Sequence, residues 1–101
     1  MYRIEIGYEL KCSEDLEKSK IYISIAGKYN GELSDSDAGF GFRDLGFEFE
    51  DVFSAEAAFK EFKELEITEY ALLIEDDSEY GFTNTIDEYD KQGDNNETKN
   101  S

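Results

Sequence analysis

The feature that most constrains the fold is an apolar stripe of helical periodicity in the middle of the chain. Its members recur at intervals of three and four residues, and they are Ala55, Ala58, Phe59, Phe62 and Leu65. This spacing predicts an amphipathic helix over Ala55–Leu65, with Ser54 as its N-cap. One side of such a helix has to be buried, so the rest of the chain must supply an apolar surface that covers it.

Alternating apolar residues on both sides of this helix supply that surface. Period-two alternation is typical of strands with one buried face, and the predicted strands are Tyr2–Leu10, Lys20–Gly27, Phe40–Phe49, Thr68–Glu75 and Tyr80–Ile86. The first two are expected to pair as a hairpin. In the third, the alternation changes phase near Arg43-Asp44, where we expect a β-bulge or a tight turn. Lys28–Ala38, rich in Asn, Gly, Ser and Asp, is interpreted as a loop.

These elements predict one α+β domain. A small antiparallel sheet of four or five strands packs on one main helix, in the order β-β-β-α-β-β. The domain is expected to span residues 1–86, and residues 87–101 are expected to form a disordered acidic tail. The sheet residues expected beneath the helix stripe are Ile4, Ile6, Ile23, Phe47, Leu72 and Ile74.

The charge of the chain restricts its partners. There are 26 acidic and 10 basic residues and no histidine, which gives a net charge of −16. Such a field repels nucleic acid and anionic membranes and attracts basic surfaces. We therefore expect no direct binding to nucleic acid or membrane. Cys12 is the single cysteine, so an internal disulfide is excluded and a cytoplasmic setting is expected, in a host cell if the protein is phage-encoded.

The residue types that identify an enzyme are absent or uninformative. Without histidine, no imidazole is present to activate serine, threonine or Cys12 as a nucleophile. A pair of carboxylates needs a cleft that raises one pKa, and a chain of this length leaves little room for one. Gly39-Phe40-Gly41 precedes no Lys-Ser/Thr pair, so it does not match a phosphate-binding loop. We predict a non-enzymatic protein with no catalytic residue and no cofactor.

A calcium loop is the sharpest metal-binding alternative. Asp76–Asp87 partly follows the twelve-residue EF-hand pattern, with Asp76 at position one, Gly81 at six and Asp87 at twelve. Tyr80 at position five cannot supply the usual ligand, the last position is not Glu, and no helices are predicted on either side. We therefore assign no metal ligand and keep weak calcium binding as an alternative. A zinc site is opposed by the lack of histidine.

The spacing of carboxylates along a strand suggests another function. Side chains two residues apart lie on one face at roughly 6.6 Å from each other. This is comparable to neighbouring phosphates on a DNA strand, whose axial rise is about 3.4 Å before winding is added. Glu48 and Glu50 have this spacing. Such an array would occupy the lysines and arginines with which a partner grips DNA or RNA, with fast and salt-sensitive association.

In size, charge and lack of catalytic groups, the chain resembles the small acidic DNA-mimic inhibitors of bacteriophages and mobile elements, which include anti-restriction and anti-CRISPR proteins. The resemblance implies an inhibitor that blocks the basic nucleic-acid-binding surface of a partner protein. The predicted partner-binding residues are outward-facing carboxylates and two tyrosines, a residue type enriched in interfaces. They are Glu48, Glu50, Asp51, Glu56, Glu61, Glu64, Glu75, Asp76, Asp77, Glu79, Tyr80, Asp87, Glu88, Tyr89 and Asp90.

Two further interpretations of the acidic surface and of the strands stay open. The protein could be a general protein–protein interaction module whose acidity serves solubility. Two copies could also form a homodimer by pairing an exposed edge strand, such as Tyr2–Leu10 or Tyr80–Ile86.

Overall fold

The computed structural model describes residues 1–10, 15–77 and 81–91. These residues form five strands and two helices, which in chain order are β1 (Tyr2–Glu9), α1 (Asp15–Lys28), β2 (Glu32–Gly39), β3 (Phe42–Phe49), α2 (Val52–Glu64), β4 (Thr68–Asp77) and β5 (Phe82–Asp90). Within these ranges, no helix combines the length and the apolar character that crossing a membrane requires.

The five strands form one antiparallel sheet in the order β2-β3-β1-β4-β5. Each helix joins two strands that are separated in the sheet by a third: β3 lies between β1 and β2, and β1 lies between β3 and β4. This connectivity is the ferredoxin-like, split β-α-β arrangement, and β5 adds a fifth strand beside β4. The predicted α+β class, with an antiparallel sheet packed on a main helix, is confirmed.

Both helices pack on one face of the sheet, and the core lies between the two layers. The strand residues buried there are Ile4, Ile6 and Tyr8 of β1, Leu45, Phe47 and Phe49 of β3, and Ala71 and Leu73 of β4. Phe62 of α2 lies at the centre, with its ring centroid 5.4 Å from that of Tyr22 in α1 and 5.5 Å from that of Phe47. The buried hydroxyl of Tyr22 is hydrogen-bonded to Thr68 at 2.5 Å, so this polar group is satisfied within the core.

Helix α2 buries the predicted stripe, since Ala55, Ala58, Phe59 and Phe62 are all in the core. It begins earlier than expected because Asp51, not Ser54, is the N-cap. The Asp51 carboxylate accepts a hydrogen bond of 3.1 Å from the backbone N–H of Ser54. The predicted cap was therefore wrong by three positions, whereas the buried face of the helix was predicted correctly.

The predicted strand at Lys20–Gly27 is wrong, because this segment belongs to α1. Isoleucines at alternate positions suggested a strand, but the buried residues are Tyr22 and Ala26, which are four apart as on one side of a helix. Ile21 and Ile23 remain 42% and 41% exposed, so their alternation does not mark a buried face. The expected hairpin with the first strand is wrong for the same reason: β1 pairs with β3 and β4.

The predicted loop before Phe40 is largely an edge strand, β2. The phase change near Arg43-Asp44 is not a bulge, because the pairing of β3 with β1 runs unbroken through both residues. The hairpin turn between β2 and β3 is instead Phe40-Gly41, with φ angles of 55° and 83°. Phe42 then points away from the core. The aromatic residues that caused the apparent phase change therefore lie outside the buried pattern.

Three further predictions depend on the position of strands in the sheet. β1 is central and paired on both sides, so homodimer formation through Tyr2–Leu10 is excluded. The edge strands are β2 and β5. β5 continues to Asp90, so Asp87–Asp90 lies in the sheet and not in a tail. Residues 92–101 of the predicted tail lie outside the described residues.

Candidate functional site

The face of the sheet opposite the helices presents side chains from all five strands. We give the name open face to the fifteen positions of this surface that form three complete rows across all five strands. In three rows that run from β2 to β5, they are Glu32, Glu48, Arg3, Ile74 and Thr85; then Asp35, Gly46, Glu5, Leu72 and Glu88; then Asp37, Asp44, Gly7, Tyr70 and Asp90. Apart from its two glycines, every residue of the open face is exposed or half-buried.

Eight of these fifteen residues are carboxylates and one is a cation. The sheet geometry fixes their approximate spacing, about 4.8 Å between neighbouring strands and about 6.8 Å between rows. Carboxylates occupy the four strands β2, β3, β1 and β5, whereas β4 contributes Tyr70, Leu72 and Ile74. The open face is therefore an acidic surface with an apolar strip along one strand.

This concentration of charge is not a property of the whole molecule. The two helices together carry five acidic and five basic side chains, and are neutral. The five strands carry 14 acidic and two basic side chains, a net charge of −12. Glu56, Glu61 and Glu64 of the predicted partner-binding set thus belong to a layer in which lysines balance the carboxylates.

The cation of the open face is Arg3. Its Nη2 lies 3.5 Å from Oδ2 of Asp35 and 3.7 Å from Oε1 of Glu5. Gly46 lies beneath it, where a Cβ would come within 3.2 Å of the same nitrogen. Arg3 is thus held between two carboxylates of the middle row, and it balances only a small part of the surrounding charge.

Tyr70 is the most firmly positioned side chain on the open face. Its ring lies across Gly7, where a Cβ would come within 2.0 Å of the ring, so only glycine permits this arrangement. Its hydroxyl donates a hydrogen bond to Oδ1 of Asp44, two strands away. Burial, and then this bond to the carboxylate, raise the pKa of Tyr70 far above its usual range. The hydroxyl therefore remains a donor at all physiological pH values.

The structure divides the predicted partner-binding residues between two sides of the molecule. Glu48, Glu88 and Asp90 are on the open face, and Asp76 continues the same side of β4. The residues of this set on the helix side are Glu56, Glu61, Glu64, Glu75, Asp87 and Tyr89. Asp77 ends β4, and Glu79 and Tyr80 lie outside the described residues.

Several helix-side members of the predicted set have partners within the chain. Glu61 forms an ion pair of 2.8 Å with Lys28 and accepts a hydrogen bond from the hydroxyl of Tyr29. These two contacts lower the pKa of Glu61. Asp87 lies 3.8 Å from Nζ of Lys63. Such contacts between different elements have a structural role, which distinguishes these residues from the carboxylates of the open face.

A second acidic feature lies at one end of the sheet. A hollow of about 400 Å³ is lined by Glu32, Glu48, Glu50 and Asp51 together with Met1 and three polar residues. It brings together three residues of the predicted set. In the residues that the structure describes, no group of three or more carboxylate, cysteine or histidine side chains could hold a metal ion.

The calcium-loop alternative is not supported by the described part of Asp76–Asp87. Asp76 and Asp77 end β4, and Phe82 begins β5, so strands stand where an EF-hand has helices. Apart from Gly81, the described residues of this segment therefore lie in two paired strands. Residues 78–80 of the pattern lie outside the described residues.

Sequence reasoning missed five carboxylates of the open face, namely Glu5, Glu32, Asp35, Asp37 and Asp44. A signal for some of them was present, because Asp35 and Asp37 alternate with serine and alanine as on an acidic strand face. The assignment of this segment to a loop concealed it. Asp44 had no such signal, since its role depends on Tyr70, 26 positions away.

A polar cluster on the helix side fixes α1 to the sheet. Asp15, in the first turn of α1, accepts hydrogen bonds from Arg43 Nη2 at 2.7 Å and from the Tyr8 hydroxyl at 2.5 Å. Arg43 first, and then Tyr8, lower the pKa of the Asp15 carboxyl. A carboxyl that acts as a general acid near neutral pH needs a raised pKa, so the lowered pKa of Asp15 does not fit that role. The cluster is a structural ion pair rather than an acid–base site.

A scan against models of known protein families finds no match, and a search of curated proteins finds no significant relative.

Proposed function

We propose that the protein is a non-enzymatic inhibitor whose open face binds the basic nucleic-acid-binding surface of a partner protein and so excludes DNA or RNA. The observation that carries the proposal is the segregation of charge: the helices are neutral, and eight carboxylates occupy the open face. Acidity that served solubility alone would not need its net negative charge to be concentrated on one face of the sheet.

The sheet also gives these carboxylates a regular arrangement. Rows about 6.8 Å apart and strands about 4.8 Å apart hold the charges at short, repeated distances. Lysine and arginine residues that normally contact successive phosphates would meet carboxylates at comparable intervals. Because the strands are hydrogen-bonded on both sides through the centre of the sheet, little ordering is needed when a partner binds.

The proposal is tested with two matched triple variants. Glu32→Gln, Glu48→Gln and Glu88→Gln together remove three charges from the open face. Glu17→Gln, Glu56→Gln and Glu64→Gln remove three charges from exposed helix positions. Both variants have the same net charge and the same amino-acid composition. Any difference between them therefore reports the location of the charge and not its amount.

The assay is an affinity pull-down from a lysate of the cells that encode the protein, with and without nuclease, followed by binding measurements on the purified partner. We expect the partner to be a nucleic-acid-binding protein, to be released by competing duplex, and to bind less tightly as salt increases. The open-face variant should weaken binding at least about tenfold, and the helix variant by much less.

Two results would contradict the proposal. If both triple variants weaken binding equally, the carboxylates act only through the net charge of the protein. That result would favour the alternative of a general protein–protein interaction module whose acidity serves solubility. If duplex fails to displace the partner, the open face does not occupy the nucleic-acid site. The cytoplasmic location and the phage or mobile-element origin belong to this proposal and depend on the identity of the partner.

A further inference from the structure

One end of the open face contains an aromatic hollow of about 340 Å³. It is lined by Phe40, Phe42 and Tyr70, with Asp44 and Gly39 between them. Phe42 and Asp44 are two residues apart on β3, so both point to the open face. Tyr70 reaches the same place from β4 across Gly7. Three aromatic side chains and a carboxylate thus meet at the hairpin end of an acidic surface.

Phe40 is not explained by folding. Its side chain is fully exposed at the tip of the β2–β3 hairpin. Its φ angle of 55° is unfavourable for a bulky residue, and the first central position of such a turn favours asparagine. Neither the core nor the turn therefore requires phenylalanine here. A large aromatic side chain at a strained, exposed position indicates a contact outside the chain.

The chemistry of the hollow favours a cation with a flat, delocalised charge. Aromatic faces attract cations, and a guanidinium stacks on them better than a compact ammonium does. Asp44 adds a carboxylate whose Oδ1 is held by Tyr70, and whose Oδ2 is a further acceptor. The negative charge of the surrounding open face draws basic side chains toward this end of the sheet.

We propose that the hollow between Phe40, Phe42, Tyr70 and Asp44 binds the guanidinium group of an arginine on the basic partner. This inference rests on the proposed function and specifies it, because it selects arginine over lysine at one defined point. The carboxylate rows would supply long-range attraction, and the hollow would supply a fixed anchor at the interface.

The test uses two peptides of equal length and charge, one with six arginines and one with six lysines, titrated into the full chain and followed by backbone amide NMR. We expect the arginine peptide to bind about two- to fivefold more tightly, with the largest shifts at Gly41 and Tyr70. Phe40→Ala should abolish the preference. Phe53→Ala is the matched control, because Phe53 is 76% exposed on α2 and lies just after the end of β3 that is opposite the Phe40-Gly41 turn. This variant should retain the preference.

The outcomes separate the two proposals. Equal, salt-sensitive binding of both peptides, unchanged by Phe40→Ala, would overturn the arginine site and leave the acidic interface in place. If neither peptide bound, both proposals would be overturned. Since Phe40 makes no buried contact, its variants should fold, and Phe40→Asn should keep or raise Tm. A preference that is lost in this variant as well would support the site independently of stability.

Discussion

The helices and strands of this protein differ in charge although they come from one acidic sequence. The helices carry five acidic and five basic side chains, whereas the strands carry 14 and two. The location of the strand charges follows from the sheet. One of its faces is covered by the helices and must be apolar, so the strand charges are concentrated on the other face and at the ends. This covering does not explain why only two of the sixteen charged strand residues are basic.

The same residue type has different roles on the two sides. On the helix side, carboxylates such as Asp15 and Glu61 contact a cation on another element. On the open face, Glu32 lies directly opposite Glu48. Like charges at such positions destabilise a sheet. The helix layer is therefore organised for stability, and the open face retains a local cost that a binding role would explain.

The largest expected effect is on folding stability, and it compares a residue packed under the helices with one on the open face. Phe62→Ala should destabilise the protein by about 3–5 kcal/mol, because the fully buried ring contacts Tyr22 and Phe47. Leu72→Ala, in the apolar strip of the open face, should cost clearly less, since Leu72 is only half-buried. Urea unfolding followed by circular dichroism measures both. Equal losses would mean that the open face is covered in solution by another copy of the chain.

A smaller effect concerns the ion pair that fixes α1 to the sheet. Asp15→Asn should cost roughly 1 kcal/mol at neutral pH, because it weakens the contacts to Arg43 and Tyr8 at a partly exposed site. The folded state lowers the pKa of this carboxyl below its ordinary value of 3.8. Its contribution is therefore complete above that value and is lost as the pH falls through the lower, folded pKa.

The measurement is the difference in unfolding free energy between the wild type and Asp15→Asn, followed from neutral pH to about pH 2. The difference cancels the general relief of charge repulsion that acid gives to so acidic a chain. We expect it to shrink below about pH 4 and to approach zero at the acid end. A difference that stays constant with pH would show that Asp15 acts through its shape or its neutral hydrogen bonds, and not through its charge.

The helices and strands could be predicted from the sequence where the local pattern of apolar residues agreed with their burial in the fold. They agreed in β1 and α2, where Ile4, Ile6, Phe59 and Phe62 follow the period of the element and are buried. They disagreed in α1, where the β-branched residues Ile21 and Ile23 are exposed and the helix is held by Tyr22 and Ala26. Local preference there indicated a strand, and packing determined a helix.

The site was harder to predict than the fold, because its members come together only through strand order. Glu48 and Glu88 were both predicted as outward-facing carboxylates, but β3 and β5 are separated in the sheet by β1 and β4, so their place on one face could not be predicted. Gly7, Asp44 and Tyr70 are far apart in the sequence. Their spacing does not indicate that the Tyr70 ring lies over Gly7 or that its hydroxyl donates a hydrogen bond to Asp44. Composition gave the sign of the charge, and only the topology places it on one face.

The smallest expected effect concerns how far repulsion among the carboxylates of the open face lowers the thermal stability of the protein. The triple change Glu32→Gln, Glu48→Gln and Glu88→Gln should raise Tm by roughly 2–5 °C at low ionic strength, because it removes like-charge repulsion across neighbouring strands. The gain should shrink as salt rises from about 0.01 M to 1 M, since the Debye length falls from about 30 Å to 3 Å.

The helix triple, Glu17→Gln, Glu56→Gln and Glu64→Gln, should leave Tm unchanged or lower it, because those glutamates lie in a neutral layer with nearby lysines. Equal gains for both triples would show that net charge alone sets the stability and that the two regions do not differ. A gain confined to the open-face triple, together with its loss of partner binding, would show that the same carboxylates destabilise the fold and form the interface.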